Sequence, residues 1–382
     1  MFTKTRWALT LFFGLVISAA CSGEIPPEQT SVVSLPPANA YRIYLSDVAI
    51  SHIVDGRLHI VDGQTLKYLG MIGTGFTGLA TLSPDRSEIY VATTYLAKLN
   101  RGTRTDQIDV YDSQKLTLKA EIIIPPKHAQ SLPYKGMIAT TPDGQFILVQ
   151  NATPASSVSI VDRKAAKFLA EIPTPGCWGI LPAQSVNNRF STICGDGTLL
   201  TITLKPDGTA SEQQRSERLF DPDKQPVYTH TEHLTDTYYF ISYQGQLFSA
   251  NLGGAVATVG KSWSLLDADD IKKAWRPGGY QPFALQAQTG LLYVAMHPDG
   301  KEGSHKDPAT EIWAFDLKTQ QRVARAAGNK AIALAVSAGD APLLFAIDPT
   351  TAGVVNYTTA PTLAPLKRVD GFGEAPALIE SH

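Results

Sequence analysis

Cysteine, methionine and long apolar runs are all scarce here. The 382 residues hold three Cys and four Met, and the longest apolar run, residues 8–20, covers only 13 positions. A membrane-spanning helix needs about 20 apolar residues, so no transmembrane segment is expected. Positive charge is also not in excess. The 33 basic residues lose Lys4 and Arg6 if the start of the chain is removed while the 35 acidic ones stay, which takes the net charge from −2 to about −4. That argues against nucleic acid or an anionic membrane surface as a partner. No nucleophile elbow, Walker loop or dinucleotide fingerprint is present either.

What the chain has is a beat. Leu58-His59-Ile60-Val61-Asp62, Ile108-Asp109-Val110-Tyr111-Asp112 and Val158-Ser159-Ile160-Val161-Asp162 end on Asp residues spaced 50 apart. Each is a short alternating strand followed by a polar turn and a second strand. Residues 199–204 and 246–251 hold the next two places, Ile312-Trp313-Ala314-Phe315-Asp316 restores the full unit, and 354–358 gives a worn seventh copy. Between them recur strand–turn–strand units built on Ser83-Pro84-Asp85-Arg86 and Thr141-Pro142-Asp143-Gly144, with weaker copies at 179–193, 233–242, 284–295 and 333–347. Pro presets the first turn residue, and Asp and Gly tolerate the remaining dihedrals. A strand-only repeat of this length predicts an all-β fold, a seven-bladed β-propeller over residues 40–382 as a single domain. Residues 41–49 supply an N-terminal strand that helps close the ring, which leaves few naked strand edges.

The start of the chain stands apart. Lys4 and Arg6, the apolar run and Ser18-Ala19-Ala20 make residues 1–20 a secretory signal. Cys21 directly after Ala20 is a candidate for lipid acylation, against which Ser18 is a weak match to a lipobox; residues 21–39 read as a flexible leader. Export puts Cys177 and Cys194 in an oxidising compartment, where a pair reads as a disulfide rather than as two buried thiols.

Candidates for chemistry are few. Tyr228-Thr229-His230-Thr231-Glu232-His233 has two His at i and i+3 before a β-rich stretch, whereas zinc binding on a helix uses i and i+4. Loop or core histidines are the favoured reading. The polar stretch from His297 to Asp307 is long enough for a role in binding a partner, a metal or an anion. Asp267, Asp269 and Asp270 read as the N-terminal charges of a short inserted helix. The basic cluster at 98–104 reads as a solvated loop. The repeated Asp62, Asp112, Asp162 and Asp316 sit at strand-to-turn junctions and read as turn builders. No catalytic residue and no metal ligand is assigned to this chain.

Longer strings carry a resemblance. Gly70-Met71-Ile72-Gly73-Thr74-Gly75-Phe76, Thr93-Thr94-Tyr95, Arg101-Gly102-Thr103-Arg104-Thr105-Asp106, Ile124-Pro125-Pro126-Lys127 and Gln150-Asn151-Ala152-Thr153-Pro154-Ala155 belong to it. So do Gly176-Cys177-Trp178, Thr192-Ile193-Cys194-Gly195-Asp196-Gly197, Trp263-Ser264-Leu265-Leu266, Pro277-Gly278-Gly279-Tyr280 and Glu311-Ile312-Trp313. Together they resemble the heavy chain of the tryptophan tryptophylquinone amine dehydrogenases, the aromatic amine dehydrogenase branch more than the related methylamine dehydrogenase heavy chain. The likeness runs over roughly residues 40–331 and fades from Ile332.

The resemblance implies a periplasmic α2β2 heterotetramer with a small, disulfide-rich light chain. Tryptophan tryptophylquinone is made from two Trp of that partner, so no cofactor is expected in this chain, whose own Trp178, Trp263, Trp275 and Trp313 suit core or interface positions. The implied reaction deaminates primary amines oxidatively to aldehyde and ammonia, with electrons leaving to a type I copper protein such as azurin or amicyanin. Within it, Phe76 is expected at the mouth of the substrate channel, with Thr74 and Thr77 as weaker candidates for its polar edges. The alternative is a stand-alone periplasmic propeller, either a binding or assembly platform or a metal-dependent hydrolase.

Overall fold

The computed structural model describes residues 31–130 and 133–382. The expected signal segment, Cys21 and the leader as far as residue 30 lie outside them. Among the described residues the strands form seven sheets, all paired antiparallel and most of four strands. They are the blades of a seven-bladed β-propeller. Blade 1 combines Pro376–Ser381, Arg42–Asp47, Gly56–Asp62 and Lys67–Gly75; blade 2 is Leu79–Leu82, Glu88–Leu96, Arg104–Asp112 and Leu118–Ile124. Blades 3 to 7 follow in chain order and start with Ile138–Thr140, Cys177–Pro182, Glu232–Leu234, Phe283–Gln286 and Ala333–Val336.

Each strand ending in the repeated Asp takes the third place from the axis. Asp62, Asp112, Asp162 and Asp316 each accept a main-chain N–H from two or three residues on, at 2.7–2.9 Å. In all four the fourth residue after the Asp lies in the left-handed region: Leu66 at φ 55°, Leu116 at 54°, Ala166 at 49° and Gln320 at 58°. The Asp side chain thus holds a tight turn that the following residue type does not itself favour.

The core lies between the blades. Seven apolar clusters are each shared by successive blades; one joins Tyr44, Leu58, Ile60 and Ile72 of blade 1 to Leu82, Ile89 and Val91 of blade 2. Because a blade is covered on both faces, the alternation within the strand–Asp units does not mark a solvated side. His59, Asp109 and Ser159 are all buried. Their polar atoms are satisfied sideways, His59 by Asp47 at 3.2 Å and Ser159 by Asn151 at 3.0 Å.

Closure uses both ends of the chain. Arg42–Asp47 pairs with Gly56–Asp62 on one side and with Pro376–Ser381 on the other, so the last strand is the innermost of blade 1. The region from Ile332 onward, where the resemblance fades, builds a regular blade 7 and this closing strand. The compact unit runs from Ser34 to His382. Within it the last leader residues lie against the ring: the Leu35 N–H donates to Gln114 O at 2.8 Å, and Leu35 packs on the cluster between blades 1 and 2.

Candidate functional site

Antiparallel strands fix which connections share a face. The links between second and third strands and the crossings from blade to blade emerge on one face, and the strand–Asp turns on the other. Most of the strings that carry the family resemblance lie at strand ends and connections of the first face.

Phe76 stands there, in the three-residue crossing from Lys67–Gly75 to Leu79–Leu82. The turn is tightly specified. Gly75 has φ 63°, and a Cβ added to it would collide with Thr93 Oγ1; one added to Gly78 would collide with Thr74 O. Only glycine tolerates both demands. Thr77 between them is itself left-handed at φ 45°. Main-chain bonds tie the turn to both neighbours: Phe76 N–H to Thr94 O at 3.3 Å, Thr77 N–H to Ile53 O at 3.1 Å and Gly78 N–H to Thr74 O at 3.0 Å. Phe76 is half-buried, whereas Thr74 and Thr77 are buried, which leaves neither of them at a pocket edge.

Beneath the turn, blade 2 carries two polar knots. In the first, Asp106 is buried and accepts from Arg104 at 2.6 and 2.7 Å, from His128 Nδ1 at 2.8 Å and from Thr94 Oγ1 at 2.7 Å. Burial alone would raise this carboxyl, but the His128 and Arg104 bonds outweigh it and hold it far below the usual carboxylate range. Arg104 therefore turns inward, while residues 97–103 of the expected solvated basic loop are exposed. In the second knot, Tyr95 donates to Asp109 and Gln107 bridges Asp109 to Glu121.

The central channel opens near the same face. Leu79, Met137 and Ile180 line it together with polar side chains, among them Tyr134, Lys135, Glu232, His233 and Glu380, around a cavity of about 200 Å3. The His230–His233 motif ends here but builds no metal centre. His230 is buried with Nε2 2.8 Å from Phe283 O and 3.3 Å from Glu232, while His233 stacks on Tyr238 at 4.8 Å and bonds Thr235 O. Burial pushes His230 down, and for Glu232 the effect of burial is outweighed by Lys135 and His230, which lower it. Among the described residues no group of three or more His, Cys, Asp or Glu is placed to hold a metal ion.

The loop after His297 forms part of an aromatic wall beside the channel. His305 stacks flat on Tyr243 at 4.3 Å, Tyr228 meets Tyr243 edge-on at 4.8 Å, and the Lys306 ammonium lies 5.4 Å over Tyr280. Tyr134 completes the wall 6.4 Å from Tyr280; the sequence singled out the loop, and Tyr228 and Tyr280 only as members of other strings, because the four tyrosines come from four separate connections. Asp267 caps the short helix Ala268–Lys272, and Arg322 pairs with both Asp267 and Asp270. Trp275 and Trp313 are buried 4.9 Å apart beneath Arg325, and Trp178 and Trp263 are half-buried, so these indoles serve packing. Cys177 and Cys194 face each other in register on the two innermost strands of blade 4 and are disulfide-bonded. No helix of the described residues is long and apolar enough to cross a membrane.

Comparison with known proteins adds a family. The model of the methylamine dehydrogenase heavy chain family matches residues 39–382. The chain is 25% identical to the methylamine dehydrogenase heavy chain of Methylophilus methylotrophus, over 97% of this chain and 93% of that one. It is 26% identical to that of Paracoccus versutus, over 93% and 82%. Among solved structures it is similar to a functionally unknown protein of Desulfotomaculum acetoxidans, with a TM-score of 0.60 at 13% identity over 89% of this chain and 98% of that one. A putative 6-phosphogluconolactonase of Bacteroides fragilis gives 0.59 at 10% identity over 93% and 99%. At such identities these structures speak for the fold alone.

Proposed function

The chain belongs to the methylamine dehydrogenase heavy chain family, and from that premise we propose that it is the non-catalytic heavy subunit of a periplasmic quinoprotein amine dehydrogenase. The match over nearly the whole propeller is the observation that carries this reading. In it, two copies of the chain hold two copies of a small, disulfide-rich light chain bearing tryptophan tryptophylquinone. The quinone takes up the electrons of a primary amine, which leaves as aldehyde and ammonia, and a type I copper protein of the azurin or amicyanin kind receives them. The cofactor carries the chemistry, and this chain supplies position and exclusion of water. The chain is exported, with Cys21 as a candidate acylation point.

Phe76 is assigned to the mouth of the substrate channel. The support is physical: a half-buried aromatic on a doubly glycine-flanked turn, tied by its main chain to two blades, at the face that gathers the family strings. Preference for aromatic over short alkyl amines is the finer part of the reading and rests on those strings. The test is purification of the protein from cells that make it natively, followed by intact-mass analysis and a visible spectrum of the purified material. A two-plus-two assembly with quinone absorption is expected. A colourless protein that purifies alone from cells making the light chain overturns the reading.

A further inference from the structure

Tyr95 is an exposed aromatic whose hydroxyl is nevertheless fixed. Its side chain is 40% exposed, yet its O–H donates to Asp109 Oδ2 at 2.7 Å. Asp109 is only 1% exposed and lies mid-strand in Arg104–Asp112. Its other oxygen accepts from Gln107 Nε2 at 2.6 Å, and the same amide donates to Glu121 at 2.9 Å. All the donors to Asp109 are neutral, and burial raises its carboxyl. A buried carboxylate served by neutral donors costs stability that an apolar side chain would not. What the arrangement gains is a surface aromatic held in one orientation.

That aromatic adjoins the Phe76 turn. Phe76 N–H bonds to Thr94 O, next in sequence to Tyr95, and a Cβ added to Gly75 would lie 3.1 Å from Tyr95 Cε1. The ring thus lies against the one residue before Phe76 that has no side chain to hold it off. Thr93, two residues before Tyr95, donates its hydroxyl to Thr74 O at 2.6 Å, a second bond between the strand carrying Tyr95 and the segment leading into the Phe76 turn.

We propose that Tyr95, oriented by the buried Asp109, is a second specificity-determining residue and forms the wall of the amine entrance beside Phe76. The proposal rests on the assignment of Phe76 to that entrance. Asp109 acts through Tyr95 and is a positioning residue. A fixed ring discriminates amine side chains better than a mobile one because its orientation is settled before the substrate arrives.

The experiment uses the assembled heavy–light complex, with quinone absorbance per complex as the check on assembly, and compares kcat/KM for 2-phenylethylamine and methylamine. Tyr95→Ala is expected to move the ratio of the two about five- to tenfold, the scale of one aromatic contact. The shift goes in the same direction as in Phe76→Ala and is non-additive with it. Tyr95→Phe keeps the ring but removes its bond to Asp109, and Asp109→Ala removes the acceptor, and each is expected to move the ratio about two- to threefold with the quinone spectrum unchanged. Should Tyr95→Ala fail to assemble, Tyr95→Leu keeps the bulk and its ratio decides. A wild-type ratio in the Tyr95 variants, with Phe76→Ala shifted, overturns this inference and leaves the entrance where it is. A wild-type ratio in both overturns the entrance as well.

Discussion

Gln281 and Ile379 bond to each other twice. The Gln281 side-chain amide donates to Ile379 O at 2.9 Å, and its Oε1 accepts the Ile379 N–H at 3.1 Å. The same amide also donates to Leu334 O at 2.7 Å, and the side chain is fully buried. One residue from the crossing into blade 6 thereby substitutes for a strand neighbour to the inner strands of blades 7 and 1.

Replacing it tests how the ring is locked. Gln281→Ala leaves two carbonyls and one N–H buried without these bonds, at about 1–3 kcal/mol for each unsatisfied group. Relaxation and water entry recover part of that, so a loss of about 3 kcal/mol in urea unfolding is expected. A midpoint equal to wild type would show that the inner strands need no such link.

Acid should act on the closure through Asp47. Burial, which alone would raise its carboxyl, is outweighed by bonds from His59 and from the N–H groups of Glu374, Ala375 and Ala49, which lower it from 3.8 to about 2. Because the folded value is depressed, the stabilisation is fully present above about pH 4 and is lost as pH falls through about 2. It amounts to about 2 kcal/mol. Asp47→Asn should be less stable than wild type at neutral pH and should lose less between about pH 5 and pH 2.5. Equal acid slopes for the two proteins would refute the assignment.

The Cys177–Cys194 disulfide closes a segment with a sequence separation of 17. Chain entropy for a loop of that size is about 3 kcal/mol. Cys177→Ala with Cys194→Ala should lower the unfolding free energy by about 2–4 kcal/mol without changing the amine ratio. A change in the ratio at full quinone content would mean that blade 4 reaches the amine entrance.

The strand–Asp turns can be tested from both sides. Asp162→Ala removes the acceptor for Ala165 N–H and should cost about 1 kcal/mol. Ala166 lies at φ 49° and is exposed, so Ala166→Gly relieves the left-handed conformation. It should stabilise by up to about 1 kcal/mol, less the entropy that glycine adds to the unfolded chain. Thermal unfolding of both variants gives the answer, and destabilisation by the glycine would contradict the turn geometry.

Phe76→Ala is expected to alter which amines are turned over while the quinone forms and cycles normally. The measurement is kcat/KM across a series of amines of increasing size. An unchanged profile means that Phe76 does not border the substrate. Gly75→Ala should perturb the same profile, since its Cβ forces the turn away from Thr93.

Much of this was legible in the residues. The seven repeated strands each became the third strand of a blade, and in the four that end in Asp, Asp62, Asp112, Asp162 and Asp316 do build turns. The short helix was legible at Asp267, whose side chain caps it. Tyr95 and Asp109 were not, although Tyr95 stood in a quoted string and Asp109 in the beat itself. Alternation places Asp109 where a one-faced sheet would meet water, and only the packing of blade 1 against blade 2 buries it. The grouping of Tyr134, Tyr228, Tyr243 and Tyr280 beside the channel was not legible for a related reason, since they share no local pattern.

The sequence by itself determined the repeat, the turn chemistry and, through its longer strings, the family. These are properties of neighbouring residues, and a turn or a strand is specified within a few positions. The tertiary structure decided how the ring closes, with Pro376–Ser381 inside Arg42–Asp47, and which polar side chains become buried partners. It also decided that the turn carrying Phe76 bonds to the strand end carrying Tyr95, through Phe76 N–H and Thr94 O. Such relations depend on contacts between segments that no spacing records, because each blade is completed only by the neighbour that covers it.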